Sequence, residues 1–343
     1  MMRKQILRDL GISIGAVVLA LFIGFLIIFF TGYNPVKAYL ALFSGAFGDY
    51  YAIAQTLTKT TPLIFTGLCV ALAFQCGLFN IGGEGQLYVG ALASAFVGIY
   101  FDLPFFFHIP LAIIFGALTG GIWGIVPGFL KARFGAHEVI TTIMMNYIGI
   151  LFCSYLVNKP FKAEGWVAQT VIIKKSSQLP KLIPHTQLSA AIILAIVCVY
   201  ITYFILWKTT IGYEIRAVGL NPLSAEYGGI SISKNIVLAM FLSGAIAGMG
   251  GAGEVMGLHK RFIDGFSPGY GFDGIAVAIL GRNHPFGVVL AALLFGALRS
   301  GGMTMDRITD VPADLILVIQ ALVILFVAAP QIISYIGRIR NVR

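Results

Sequence analysis

Long uncharged runs recur along this chain, and short polar joints separate them. A helix of about twenty apolar residues spans roughly 30 Å of hydrocarbon. Such runs predict crossings near residues 11–31, 61–79, 85–101, 108–130, 139–157, 187–207, 235–256, 270–281, 285–300 and 314–334. The eighth is short and rich in glycine, the least regular of the ten. The predicted fold class is an all-α polytopic membrane protein of about ten transmembrane helices, with broken or short helices near 77–86 and 265–281. No stretch reads as a separate soluble domain, so residues 1–343 are expected to form one transmembrane domain.

Composition narrows the reading further. Of the 343 residues, 58% are apolar and 11% charged, against about 25% charged in soluble domains. Twenty-three basic and 14 acidic side chains cannot clothe a water-exposed chain of this size. The net charge of +9 is carried by Lys and Arg scattered singly between apolar runs, which argues against nucleic-acid binding. Ten crossings put both ends on one side. Arg3, Lys4 and Arg8, with Arg338, Arg340 and Arg343, mark that side as cytoplasmic in a cell membrane. The whole count of Lys and Arg is nearly even, 12 inside and 11 outside, while arginine alone divides 8 to 3. Extracytoplasmic loops are then expected at 32–60, 158–186 and around 257–269. Gly11 to Phe30 is too long for a signal-peptide core and is expected to stay as a membrane span. Cys69, Cys76, Cys153 and Cys198 lie inside apolar runs without a CxxC pair, so they read as buried thiols and not as a disulfide or metal framework.

Glycines punctuate several spans at four-residue spacing: Gly11/Gly15, Gly116/Gly120/Gly124/Gly128 and Gly244/Gly248. Helices in lipid gain much of their association energy from close backbone approach, which glycine permits, so these stripes predict tight helix packing. Two GxGxxG matches, Gly248 to Gly253 and Gly269 to Gly274, follow no predicted strand and carry no dinucleotide site. A Walker-type GxxxxGK[ST] loop is missing, so the chain has no ATPase motif of its own and is not expected to be an enzyme.

Three segments depart from plain spanning helix. Gly77-Leu-Phe-Asn-Ile-Gly-Gly-Glu-Gly-Gln86 sets Asn80, Glu84 and Gln86 among four glycines between two apolar runs. Irregular backbone at membrane depth persists only when buried in protein or lining a wet cavity. The segment is either a broken helix touching a solute or a tight turn. Glu84 would stand at the start of the next helix, where free N–H groups favour a negative charge. In the second segment, Asn221 suits an N-cap, Pro222 the first helical position, and Gly228-Gly229 a stop. The resulting helix of about six residues is too short to be stable alone. It must dock, either on its own chain or in a partner's groove. In the third, Asp273 opens an apolar run within Ser267 to Gly281, where it either caps that helix or faces a polar cavity. Asn146, inside a span, is the other polar residue placed either for interhelical bonding or for solute contact.

As a set and in this order, three stretches resemble the permease subunits of ABC importers of the ribose and branched-chain amino-acid type. They are Phe79-Asn-Ile-Gly-Gly-Glu-Gly-Gln86, Arg216-Ala-Val-Gly-Leu-Asn-Pro-Leu-Ser-Ala-Glu-Tyr-Gly-Gly-Ile230 and Gly271-Phe-Asp-Gly-Ile-Ala-Val-Ala-Ile-Leu-Gly281. The resemblance covers about residues 60–330 and is greatest to the nucleoside branch, whose permeases pair with a nucleoside-binding lipoprotein. It implies a passive solute channel for a nucleoside, or for a simple sugar such as ribose. It also implies partners: a separate ABC ATPase carrying ATP and Mg, a second permease chain (identical or different) and the extracytoplasmic lipoprotein. The loop 208–234 would be cytoplasmic and hold the coupling helix, with Arg216, Gly219, Asn221, Pro222, Ala225, Glu226, Tyr227 and Gly228 engaging the ATPase. Asn80, Glu84 and Gln86 match the family's polar break. Nucleoside chemistry suits them, since ribose hydroxyls and base edges need a few donors and acceptors. Phe79 and Phe272 offer rings that could stack on a base.

Two rivals make different demands. An ion-coupled carrier would also surround its solute with broken helices and a midplane carboxylate, but has no need of a docking helix. An intramembrane enzyme would need an acid/base set for which Glu84 and Asp273 are the only candidates.

Overall fold

The computed structural model describes residues 2–312 and 314–326, with residues 2–14 and 16 described by their backbone alone. Along the chain run α1 (Met2–Phe30), α2 (Pro35–Phe47), α3 (Tyr50–Gln75), α4 (Gly83–Tyr100), α5 (Phe105–Phe134), α6 (Glu138–Asn158) and α7 (Ala191–Lys208). They are followed by α8 (Thr210–Leu220), α9 (Pro222–Tyr227), α10 (Ile232–Gly253), α11 (Tyr270–Leu280), α12 (Pro285–Ile308) and α13 (Asp314–Phe326). A π-helical turn, Glu254–His259, prolongs α10. The all-α polytopic expectation holds. Among the described residues, six helices are long and apolar enough to cross a membrane, and α11 and α13 are shorter apolar helices. The end of the tenth expected span, 327–334, and the carboxyl-terminal arginines lie outside the described residues.

The chain forms two compact units, divided within α3 and within α12. The first comprises residues up to Lys59 and from Leu293 on. Its core joins Ile28 of α1, Ala38 and Leu42 of α2, Leu298 and Met305 of α12, and Ile316 and Ile319 of α13. Here the structure corrects the expected outer loop at 32–60, which is helical over most of its length. Asn34 accepts from the Lys37 N–H at 3.1 Å with Pro35 at the first helical position, and Asp49 accepts from the Ala52 N–H at 2.6 Å. Two well-formed caps therefore start α2 and α3, although Lys37, Asp49 and Lys59 interrupt the apolar pattern. Tyr39 ties α2 to α1 through a 2.6 Å bond to the Leu21 carbonyl.

The second unit, Thr60–Ala292, carries the three irregular segments. Its spine is the glycine stripe of α5 against that of α10. A Cβ at Gly120, Gly124, Gly244 or Gly248 would fall under 3.0 Å from a carbonyl oxygen of the facing helix. Gly90 of α4 meets Gly116 and Gly248 at the same level. The stripes thus pack as expected, whereas Gly15 of the amino-terminal pair has no described atom within 4 Å. Helix α4, with 14 of its 18 residues buried, is enclosed by its neighbours. Its polar first turn needs that shelter.

The two outer segments expected as loops are ordered against each other. The Thr170 N–H donates to the Phe262 carbonyl (2.9 Å), Ile173 to Lys260 (3.0 Å), Leu179 to Met256 (2.9 Å) and Lys174 to Gly98 (2.9 Å). His108, fully buried, bridges Ser176 at 2.8 Å and the Val97 carbonyl at 3.0 Å. Residues 159–190 are therefore a bonded cover on that end of the unit. The expected loop at 257–269 begins inside the π-helical turn and ends in the half-length helix α11, whose 11 residues rise only about 16 Å.

Candidate functional site

Helix α3 stops at Gln75, and regular helix resumes only at Gly83. Gly77 sits at φ 73°, a left-handed conformation that a side chain would resist. Seven residues of non-helical backbone, 76–82, follow; Gly77 is exposed, but Cys76, Leu78, Asn80 and Gly82 are buried, and the polar groups at that depth must find partners in protein.

Asn80 and Gln86 supply the first set of partners. The Asn80 amide donates to Ser243 Oγ at 2.8 Å and to Gln86 Oε1 at 3.1 Å, while its carbonyl accepts from the Gly82 N–H at 2.8 Å. Ser243 Oγ in turn donates to the Cys69 carbonyl at 2.7 Å. None of these side chains is more than 1% exposed. The cluster links α3, the break, α4 and α10 in one closed set of bonds.

Asn146 of α6 holds the other side of the break. Its carbonyl accepts from the Gly85 N–H and its amide donates to the Ile81 carbonyl, both at 2.7 Å. Thr142, one turn earlier, accepts from the Ile81 N–H at 3.3 Å. A Cβ at Gly85 would fall under 3.0 Å from the Asn146 backbone, so glycine is required for this approach.

Glu84, 2% exposed, is in the first turn of α4. Its carboxylate accepts from the Gly271 N–H in the first turn of α11. Gly271 lies so close to Glu84 that a Cβ there would meet its backbone N and Cα. One carboxyl group thus sits where the N-termini of two helices converge, and both dipoles favour its ionised form. Asp273 does not cap α11. The cap position is Gly269, without a side-chain cap bond; Ser267 bonds the turn before it, accepting from Gly269 at 3.3 Å and Tyr270 at 3.1 Å, and Asp273 stands half-buried within the first turn.

Residues Asn80, Glu84, Gln86 and Asn146, singled out from sequence, therefore come together. The two phenylalanines do not join them. Phe79 packs edge-on against Phe74, with ring centroids 5.0 Å apart, and Phe272 is 46% exposed. Sequence reasoning missed Cys69, Thr142 and Ser243, small polar groups with no signal among apolar neighbours. It also missed an aromatic group one helical turn above Glu84. Tyr88 lies 4.7 Å from Phe266, Phe266 lies 5.4 Å from Phe262, and His259 lies 5.9 Å from Phe266. Beside them His259 faces buried Glu254 at 3.7 Å. Asp264 accepts from Ser154 at 2.7 Å and Asn158 at 3.1 Å. Their sequence positions are separated by up to 178 residues of irregular and helical chain (88 to 266), which hides the grouping.

The second expected site, 208–234, contains two helices where sequence suggested one. Thr209 caps α8, and Asn221 caps α9 by accepting from the Ser224 N–H at 3.1 Å. In α9, Leu223 and Tyr227 are 68% and 96% exposed, and Leu220 just before it is 88% exposed. Pro222, Glu226 and Gly228 are exposed as well, and Ala225 alone is buried. Arg216 turns inward instead, donating from Nε to the Leu206 carbonyl at 2.9 Å with its guanidinium over Trp207. Gly219 bears directly on the break: a Cβ there would strike the Gln75 carbonyl, and Gly77 lies against the Gly219 backbone. A 3.0 Å bond from Asn235 to Glu214 ties α8 to the start of α10.

The fold is that of a multi-pass membrane protein. Residues 52–328 match the family described as branched-chain amino acid transport system / permease component, and the chain belongs to that family. It is 42% identical to the guanosine ABC transporter permease protein of Bacillus subtilis over 98% of each chain. It is 38% identical to a nucleoside ABC transporter permease protein of Lactococcus lactis subsp. cremoris, covering 95% of this chain and 93% of that one. It is 34% identical to a glucose ABC transporter permease protein of Haloferax volcanii over 94% and 87% of the two chains. No solved structure matches it.

Proposed function

We propose that this chain is the permease subunit of an ATP-driven importer and forms its passage for nucleosides. Its partners on this reading are an ABC ATPase that binds ATP and Mg, a second permease chain and an extracytoplasmic binding lipoprotein. The observation that carries the mechanism is the contact of Gly219 with the Gln75 carbonyl. Through it, the segment bearing the exposed helix α9 touches the end of α3 where the polar break begins.

Helix α9 fits the role of a plug in the ATPase. It is well capped, it is too short to stand alone, and it presents Leu223 and Tyr227 outward with Glu226. On this reading α8 and α9 lie on the cytoplasmic side, with both termini. ATP-driven closure of the ATPase would displace α9 and α8, and Gly219 would carry that push to Gln75–Gly77. The bonds among Asn80, Gln86 and Ser243, and between Glu84 and Gly271, then act as the latch of a closed state. A neutral bond of this kind is worth roughly 0.5–1.5 kcal/mol net and one to a carboxylate about 1.5–3, small enough to be exchanged for bonds to a ribose or a base edge. Tyr88, Phe262 and Phe266 supply aromatic faces one turn above that latch, where a base can stack. The curated names of the two nucleoside-type relatives support the cargo.

The Haloferax relative favours a second reading, a simple sugar. Uptake of labelled guanosine by cells carrying the whole importer, challenged with unlabelled adenosine, glucose or ribose, distinguishes the two. Competition by adenosine alone is expected. Competition by glucose or ribose alone would replace the nucleoside reading by the sugar one. Accumulation driven by an ion gradient, with the ATPase absent, would refute the permease mechanism.

A further inference from the structure

The end of the second unit that carries α8 and α9 also holds a cleft of about 620 Å³ between α5 and α10, and none of the chemistry above uses it. Its wall is apolar: Ile125 and Phe129 from α5, and Val237, Leu238 and Phe241 from α10. Its floor is the glycine seam, since Gly121 lies against Phe241 and Gly128 against Val237. At one end the wall gives way to Arg133, in the last turn of α5, and Lys234, in the first turn of α10. The two helices run antiparallel there, so their cations reach the same mouth.

Two features identify what this shape fits. The first is charge. Nearby Lys131 is matched by Glu138 at 2.9 Å. Arg133 and Lys234, both exposed, have no acidic partner among the described residues. The second is length. From Ile125 to Arg133, and from Phe241 back to Ser233, each helix covers nine residues, a rise of about 12 Å. A soluble anion would satisfy the cations and leave that apolar wall without a partner. A phospholipid satisfies both, because a basic mouth between membrane helices takes a phosphate headgroup and an acyl chain fills the wall behind it.

We infer that this cleft binds one anionic glycerophospholipid of the surrounding bilayer. Its phosphate lies between Arg133 and Lys234, and an acyl chain lies along Phe129, Leu238 and Phe241. The site also braces the start of α10, which follows α9 after a link of four residues (228–231).

The test uses the assembled importer, delipidated in detergent and then offered phosphatidylglycerol, phosphatidylcholine or inorganic phosphate. Native mass spectrometry counts retained lipid, and thermal unfolding reports stabilisation. The wild type is expected to retain one phosphatidylglycerol per copy of this chain in preference to phosphatidylcholine, with stabilisation that inorganic phosphate does not reproduce. The double variant R133Q/K234Q should lose that preference by about tenfold or more, the scale of two charge-assisted contacts, while R133K/K234R keeps it. If the double variant fails to assemble, Leu238→Trp, which fills the wall and leaves both cations, should release the lipid. Equal retention of the two lipids would overturn the inference. So would retention of phosphatidylglycerol by both R133Q/K234Q and Leu238→Trp, or equal stabilisation by inorganic phosphate, which would assign the site to a soluble anion.

Discussion

Two glycine-rich regions of the second unit look alike in sequence and work differently. The α5–α10 seam and the break at 77–86 both use glycine to bring backbones together. In the seam, glycine faces glycine and the carbonyls stay inside regular helices, so the contact is static packing. In the break, the glycines release backbone polar groups that Asn80, Asn146 and Thr142 then satisfy. Packing of the first kind has one good arrangement. A set of modest hydrogen bonds can be exchanged for another of similar energy, and that is what a gate requires. The presence of buried polar partners, and not the glycine count, separates a hinge from a seam.

Substitutions at the two regions should therefore fail in different ways. Gly248→Leu drives a side chain into the Gly116 carbonyl and the α5 backbone at Gly120. Overpacking of this kind costs about 3 kcal/mol or more, so no assembled protein should be recovered by size exclusion from a detergent extract. Gly219→Val should act on coupling: uptake falls about tenfold while ATP hydrolysis by the complex continues, within typical coupling energies of roughly 1–3 kcal/mol. Loss of both together would return Gly219 to a packing role. Glu84→Ala leaves the Gly271 N–H without its acceptor and should cost about 1–3 kcal/mol in thermal unfolding. Glu84→Gln keeps an acceptor and should assemble normally but import less. Normal uptake by that variant would remove the carboxylate from the passage. Ser243→Ala deletes the bonds to the Asn80 amide, the Cys69 carbonyl and Cys69 Sγ and should cost about 1 kcal/mol or more. Phe272→Ala, at an exposed ring, should change stability by no more than ~0.5 kcal/mol.

Much of this was legible in the sequence because local chemistry announces it. Asn221-Pro222 and Gly228-Gly229 mark the ends of a short helix whatever surrounds them. Polar residues among glycines between Gly77 and Gln86 stand out against apolar spans. Other parts were hidden because tertiary contacts create them. Ser243 and Cys69 look like ordinary span residues until the fold sets them against Asn80. The charged residues of 32–60 suggested a loop, yet caps at Asn34 and Asp49 make helices there. Arg216, grouped by position with the docking segment, is folded inward by Trp207 and the Leu206 carbonyl. Asp273 opens the apolar run, yet α11 starts three residues earlier at Tyr270 after Gly269, and it is Glu84 of α4 that accepts from its first turn.

The central claim is that force on α9 opens the buried polar break, and Cys69 is a native reporter of that opening, fully buried beside Asn80 and Ser243. In an importer whose Cys76, Cys153 and Cys198 are replaced by alanine, the rate at which a small membrane-permeant thiol reagent labels Cys69 can be followed with and without ATP turnover. Slow labelling at rest that accelerates about tenfold during turnover, and loses that acceleration in the Gly219→Val variant, is the predicted result. Labelling that ATP leaves unchanged, in a complex that still imports its solute, would contradict it.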